Sequence, residues 1–168
     1  MKKISLLLLA GTIVLASCQK QNDQIFSQTE QTSNDKVQTS SWTNVAFSSE
    51  AGKSTSASGQ INVPAIDSAV LNGGIVLVYS KDNNTINTLP ASTSGVEWSY
   101  EIKNSSIVLS ASAEKGLPSL TGLQFSYAIV PAGKLAGYEE KGITADNLIN
   151  MSYASATSIF AGDAVGSR

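Results

Sequence analysis

The chain has 168 residues, a formal net charge of −2 and no histidine. Its length suits one domain of ordinary size. A net negative charge with a single arginine, Arg168, excludes the clustered Lys and Arg that a phosphate-binding nucleic-acid surface or an anionic lipid surface needs. The missing histidine excludes Ser-His-Asp triads, Cys-His pairs and His-based zinc sites.

The first element in chain order is a secretory signal. Lys2 and Lys3 give a positive start, and an apolar stretch follows from Ile4 to Ala16. That stretch falls well short of the roughly 20 residues a membrane-spanning helix requires. Leu15-Ala16-Ser17-Cys18 comes next and resembles the lipobox of bacterial lipoproteins: an aliphatic residue, two small residues, then the acylated cysteine. The resemblance implies a signal peptide over residues 1–17, cleavage before Cys18, a diacylglyceryl thioether on Cys18 and a further acyl chain, such as palmitate, on the new N-terminus. Two or more chains anchor a protein stably. Removing residues 1–17 takes two lysines and moves the net charge from −2 to −4. Cys18 is the only cysteine, so neither a disulfide nor a thiolate metal site is available to the folded part. No cofactor is expected.

Residues 18–41 read as a lipid-anchored flexible tether. Six glutamines between Gln19 and Gln38 mix with Ser, Thr, Asn and Asp, and such a segment buries too little apolar surface to offset its ordering entropy. As a flexible coil it spans roughly 25–30 Å.

A β-rich domain is expected over 42–135, beginning with strands at 42–48 and 58–63. Residues 64–72 have room for a short helix before Gly73-Gly74. The run Ile75-Val76-Leu77-Val78-Tyr79-Ser80 is short and rich in β-branched residues, which predicts a strand buried on both faces. Asp82-Asn83-Asn84 is a turn signal. Over 96–103, Val96, Trp98, Tyr100 and Ile102 alternate with polar residues, placing four apolar side chains on one sheet face. Asn104-Ser105-Ser106 turns the chain into a return strand at Ile107-Val108-Leu109. A last strand over 123–130 puts Leu123, Phe125, Tyr127 and Ile129 on one face. A short helix is expected at 144–151, within a C-terminal segment, 136–168, that is Ala/Ser-rich and weakly patterned. The expected fold is mainly β: a small β-sandwich or partly open barrel with one or two short helices.

Val76-Leu77-Val78-Tyr79-Ser80-Lys81, Leu89-Pro90 and Phe125-Ser126-Tyr127-Ala128-Ile129-Val130-Pro131 resemble, in this order, motifs of small, largely uncharacterised lipoproteins of Bacteroidota. The resemblance covers roughly residues 42–135 and implies an all-β or mainly β fold and a cell-envelope location, with no activity attached. Thr85-Ile86-Asn87-Thr88 stands where the group often carries an aromatic residue.

Several residues are candidates for chemistry. Ser112-Ala113-Glu114-Lys115 fits the S-x-x-K pattern of serine acyl enzymes, without the S-D-N and K-T-G elements that accompany it. Glu97 and Glu101 invite comparison with a glycosidase pair, but four strand residues separate them by about 13 Å, beyond the roughly 5–9.5 Å such mechanisms use. Asp82, Asn84 and Asn87 offer oxygens to calcium, in a loop lacking the Gly and bidentate Glu of an EF-hand. Trp98 and Tyr100 share the apolar face of Val96 and Ile102, which favours core packing over a sugar-stacking platform. Trp42, at the junction of tether and domain, is the better candidate ligand contact. Asp67-Ser68-Ala69 resembles the acceptor motif for periplasmic O-glycosylation in Bacteroidota, with Ser68 as acceptor; a helix N-terminus explains the same residues.

The expectation is therefore a non-enzymatic, lipid-anchored outer-membrane protein acting as a binding or structural accessory module. Its partners would be the membrane through Cys18, and a glycan or another envelope protein. The alternative is a carbohydrate-binding lipoprotein of a glycan-uptake system, which requires exposed aromatic rings. A fimbrial subunit would need an arginine beyond the tether, and none precedes Arg168. A hydrolase built on Asp and Glu alone would need two buried carboxylates in a cleft. Gln19-Lys20-Gln21-Asn22-Asp23 carries one acid and one lysine, a poor match to an acidic surface-export signal, which favours the periplasmic face.

Overall fold

A computed structural model describes residues 36–49 and 54–165. Its strands are β1 (Gln38–Thr39), β2 (Thr43–Asn44), β3 (Phe47–Ser49), β4 (Ser56–Asn62), β5 (Ile75–Asp82), β6 (Thr85–Thr88), β7 (Ala91–Thr93), β8 (Val96–Lys103), β9 (Ser106–Ser112) and β10 (Gln124–Val130). The helices are α1 (Ser68–Gly73), α2 (Ala132–Glu139), α3 (Ala145–Ile149) and α4 (Tyr153–Val165).

The strands form two antiparallel sheets. In one, β10 lies between β5 and an edge made of β1 and β2, and β6 closes the other edge. The second sheet runs β3-β4-β9-β8-β7. Both sheets remain open, as expected for a sandwich. The chain crosses from one sheet to the other at each lateral edge, through Val45-Ala46 between β2 and β3 and through the cis Leu89-Pro90 bond between β6 and β7.

Side-chain alternation explains the layering. From β8, Val96 and Trp98 are buried, with Tyr100 and Ile102 packed beside them; from β9, Ile107, Leu109 and Ala111 enter the same core. Facing them across the sandwich are Val76 and Val78 of β5 and Phe125 and Ile129 of β10. The intervening residues Leu77, Tyr79, Ala128 and Val130 point the other way, into a second core with Tyr138, Leu148, Ala156 and Phe160 of the helices. The β5/β10 sheet is thus the middle of three layers, which is why its central strands are apolar on both faces. The outer sheet faces solvent on one side and accordingly reads polar there, with Ser58 and Gln60 of β4, Glu97, Ser99 and Glu101 of β8, and Ser110 of β9 exposed.

Local signals set the element ends. Asp67 caps α1 by accepting hydrogen bonds from the Ala69 and Val70 amides at 2.9 and 3.0 Å. Thr144 caps α3 in a reciprocal capping box with Asn147. Asn83, Ser94 and Ser105 adopt left-handed backbone in the tight turns after β5, β7 and β8. Gly59 is required by a close approach: a Cβ there would lie 2.6 Å from Val45 Cγ1 and 3.0 Å from the Ala46 carbonyl, where the chain crosses between sheets.

Three expectations are corrected. The folded body begins before residue 42, because Gln38 and Thr39 pair with Ile129 and Ala128 of β10. Between β1 and β2 the ladder is interrupted, and Ser40 repairs it: its hydroxyl accepts from the Tyr127 amide at 2.9 Å, while the hydroxyl of buried Ser126 donates to the Ser40 carbonyl at 3.1 Å. The body also extends beyond 135, and the helices number four rather than one or two, since α2 and α4 were not expected. Alanine, the best helix former, builds α4, and Tyr153, Ala156 and Phe160 give it one inward face despite its bland composition. The expected signal peptide, Cys18 and residues 18–35 of the tether lie outside the described residues. No helix among the described residues is long and apolar enough to cross a membrane.

Candidate functional site

The segment between β9 and β10 folds over one end of the sandwich. The Ala113 amide donates to the Thr55 carbonyl at 2.9 Å and the Leu117 amide to the Ser54 carbonyl at 2.7 Å, while Leu117, Leu120 and Leu123 pack onto the inter-sheet core. Between this segment, the β5–β6 hairpin and the β7–β8 hairpin lies a cleft of about 190 Å³. Its polar lining includes Ser80 and Asp82 of β5, Asn87 of β6 and Thr93 of β7, with Ser94 and Ser119 also in the lining; Trp98, Leu120 and Leu123 supply apolar wall. Ser80 is 6 % exposed, and its side-chain hydroxyl makes no hydrogen bond among the described residues; it sits on the inward face of β5 in line with Val76 and Val78. Trp98, also 6 % exposed, is held by edge and tilted contacts to Phe47 and Phe125, each at 5.6 Å between ring centroids. Two broader grooves, of about 850 and 990 Å³, flank the same connecting segment.

The chain enters the fold at the other end. Gln38 pairs with Ile129 near the end of β10, whereas Phe125, opposite Ser80, lies near its start. The separation along β10 between Ile129 and Phe125 is roughly 13 Å at about 3.3 Å per residue.

The structure sorts the sequence candidates. Asp82 and Asn87 both reach the cleft, whereas Asn84 stays exposed in the turn, where the Asn83 side-chain amide donates to Asp82 at 3.0 Å. No group of three or more His, Cys, Asp or Glu residues that could hold a metal exists among the described residues. Glu97 and Glu101 are exposed on the outer face of β8, and Glu101 pairs with Lys103 at 3.1 Å. Ser112, Glu114 and Lys115 are exposed at the rim of the 990 Å³ groove. Every Asp and Glu from Asp67 to Asp146 is exposed or half-buried.

Trp98 and Tyr100 belong to the core side of β8, as their alternation implied. The Tyr100 hydroxyl donates across the sandwich to the Val76 carbonyl at 3.1 Å, and burial raises its pKa. Trp42 is not a free ring: it is half-buried against Tyr153 of α4 at 5.1 Å, with the Lys81 ammonium 5.6 Å over its centroid. Among the described residues no aromatic side chain is fully exposed, and the one ring beside Trp42, Tyr153, is itself half-buried. Ser68 is exposed at the first position of α1, directly after its capping Asp67.

Sequence reasoning missed Ser80 and Thr93 as cleft residues. Ser80 carried one signal, a hydroxyl at a position where the period of two called for an apolar residue.

The fold and cleft together define a three-layer module, a β-sandwich backed by helices with a small cleft of mixed polar and apolar lining at one end. No protein-family model, curated protein or solved structure matches the chain.

Proposed function

We propose that this chain is a lipid-anchored protein of the bacterial outer membrane, of the kind seen in small Bacteroidota lipoproteins. It acts as a non-enzymatic binding or accessory module. The observation that carries the reading is Leu15-Ala16-Ser17-Cys18, placed directly after a charged start and a short apolar stretch. Acyl chains on Cys18 hold the mature chain to the membrane, with the periplasmic face favoured because residues 19–23, with one acid and one lysine, match an acidic surface-export signal poorly. The geometry fits this use. The tether joins the domain at the end where Gln38 pairs with Ile129, and the cleft opens at the opposite end, away from the point of attachment. Exposed Ser68 is the proposed O-glycan acceptor. Metabolic labelling with a palmitate analogue tests the anchor: label should appear on the chain and disappear in Cys18→Ser, and an unlabelled wild-type chain would refute it.

A second reading, a carbohydrate-binding lipoprotein of a glycan-uptake system, is favoured by one observation. The end cleft places hydroxyl, amide and carboxylate groups beside Trp98. It replaces the exposed-ring platform as the basis for sugar recognition.

A further inference from the structure

The cleft has a chemistry narrower than "binding module". Ser80 occupies a core position of β5, 6 % exposed, and its hydroxyl finds no protein partner among the described residues. The Ser80 hydroxyl opens onto the cleft, so a polar group stands on the inward face of β5 where Val76 and Val78 precede it. It gives the cleft a donor and an acceptor that a valine at the same position would lack.

What enters is limited by size and by charge. A volume of about 190 Å³ corresponds to roughly six waters at about 30 Å³ each. That is the bulk of one six-membered ring, and it lies below the roughly 300 Å³ at which pockets for larger ligands begin. No lysine or arginine lines the cleft, so nothing there would neutralise a phosphate or carboxylate. Asp82 is the only carboxylate in the lining, too few hard oxygen charges for a divalent cation.

The remaining groups match a neutral polyhydroxylated ring. Ser80 and Thr93 donate and accept, the Asn87 amide does both, and Asp82 accepts, which is the mixture that adjacent ring hydroxyls require. Trp98 and Leu120 offer apolar surface to the C–H face of such a ring. A cleft of about 190 Å³ admits one ring and leaves the rest of a chain outside.

We propose that the end cleft binds a single neutral sugar ring, the terminal residue of a glycan entering end-on, with Ser80 as its most deeply placed hydrogen-bonding group. This rests on the carbohydrate reading and sharpens it to one subsite. It does not depend on the lipid anchor.

The test uses the full chain in zwitterionic detergent, carrying Trp42→Phe so that Trp98 is the sole tryptophan reporter. Methyl glycosides of glucose, galactose and mannose, their linear oligomers and glucuronate are titrated while tryptophan emission and heat are recorded. At least one neutral monosaccharide should give saturable binding with a change in Trp98 emission. Its oligomers should bind no more than a few-fold tighter, and Ser80→Ala and Asn87→Ala should each weaken binding about tenfold. No response to any neutral sugar overturns the proposal, as does tighter binding of glucuronate than of glucose. Affinity that climbs with chain length and ignores Ser80→Ala would also overturn it, while leaving carbohydrate binding elsewhere on the domain intact.

Discussion

Tyr79 offers the sharpest test of the packing. It lies on the helix-facing side of the middle sheet, 1 % exposed, and its hydroxyl is buried with no hydrogen-bond partner. The ring packs edge-on against Tyr153 at 5.1 Å. Removing the oxygen in Tyr79→Phe releases a desolvation penalty of about 1–3 kcal/mol. The void it leaves is on the order of 10 Å³, worth roughly 0.2 kcal/mol at about 24 cal/mol per Å³. The variant should therefore be more stable by about 1–2.5 kcal/mol, raising the urea midpoint by roughly 0.5–1 M with an unchanged slope. Alkaline pH gives an independent readout. Burial foremost, then the neighbouring Tyr100 and Tyr153, pushes the Tyr79 pKa from 10.0 up to about 12. Between those values the unfolded chain has lost the proton and the folded chain keeps it. Stability from this group is complete below pH 10 and falls as pH rises towards 12, by at most about 1.4 kcal/mol per pH unit. Tyr79→Phe should lose that part of the decline, leaving what burial of Tyr100 and Tyr127 contributes. A destabilised variant with an unaltered alkaline profile would refute the reasoning.

Three further perturbations, two in the sheets and one in α2, use the same unfolding assay. Gly59→Ala drives a methyl against Val45 and the Ala46 carbonyl and should cost about 1–3 kcal/mol. Gly137→Ala, in α2 with nothing within 4 Å of the new carbon, should instead stabilise by about 0.5–1 kcal/mol. Ser40→Ala strips the acceptor from the Tyr127 amide and should cost about 1–2 kcal/mol. Hydrogen exchange in that variant should quicken first at β1 and β2, and uniform quickening would contradict the local role given to Ser40.

Much of the sandwich was written in side-chain period. Val96, Trp98, Tyr100 and Ile102 marked an inward face that the structure keeps, and the unbroken run from Ile75 to Tyr79 marked a strand covered on both sides. What covers its far side was not legible. The helices there present small residues such as Ala156 as well as rings, and Ala- and Ser-rich stretches carry little amphipathic contrast. β1 escaped notice because two residues inside a polar segment form a strand only when β10 is present to pair with them. The cleft was hidden for a related reason. Ser80, Asn87, Thr93 and Trp98 come from four strands in two sheets, and only the fold brings them together. Asp82 and Asn87 were noticed as oxygen donors, but their partner in the cleft is not Asn84, the nearer residue in sequence.

The proposal of a lipid anchor stands on Cys18, and fractionation of cells expressing the wild-type and Cys18→Ser chains tests it most directly. The wild-type chain should sediment with the outer membrane and resist extraction by high salt. Cys18→Ser should leave that fraction while its domain, from β1 through α4, keeps the same urea midpoint. A Cys18→Ser chain that remains in the outer membrane would contradict the account.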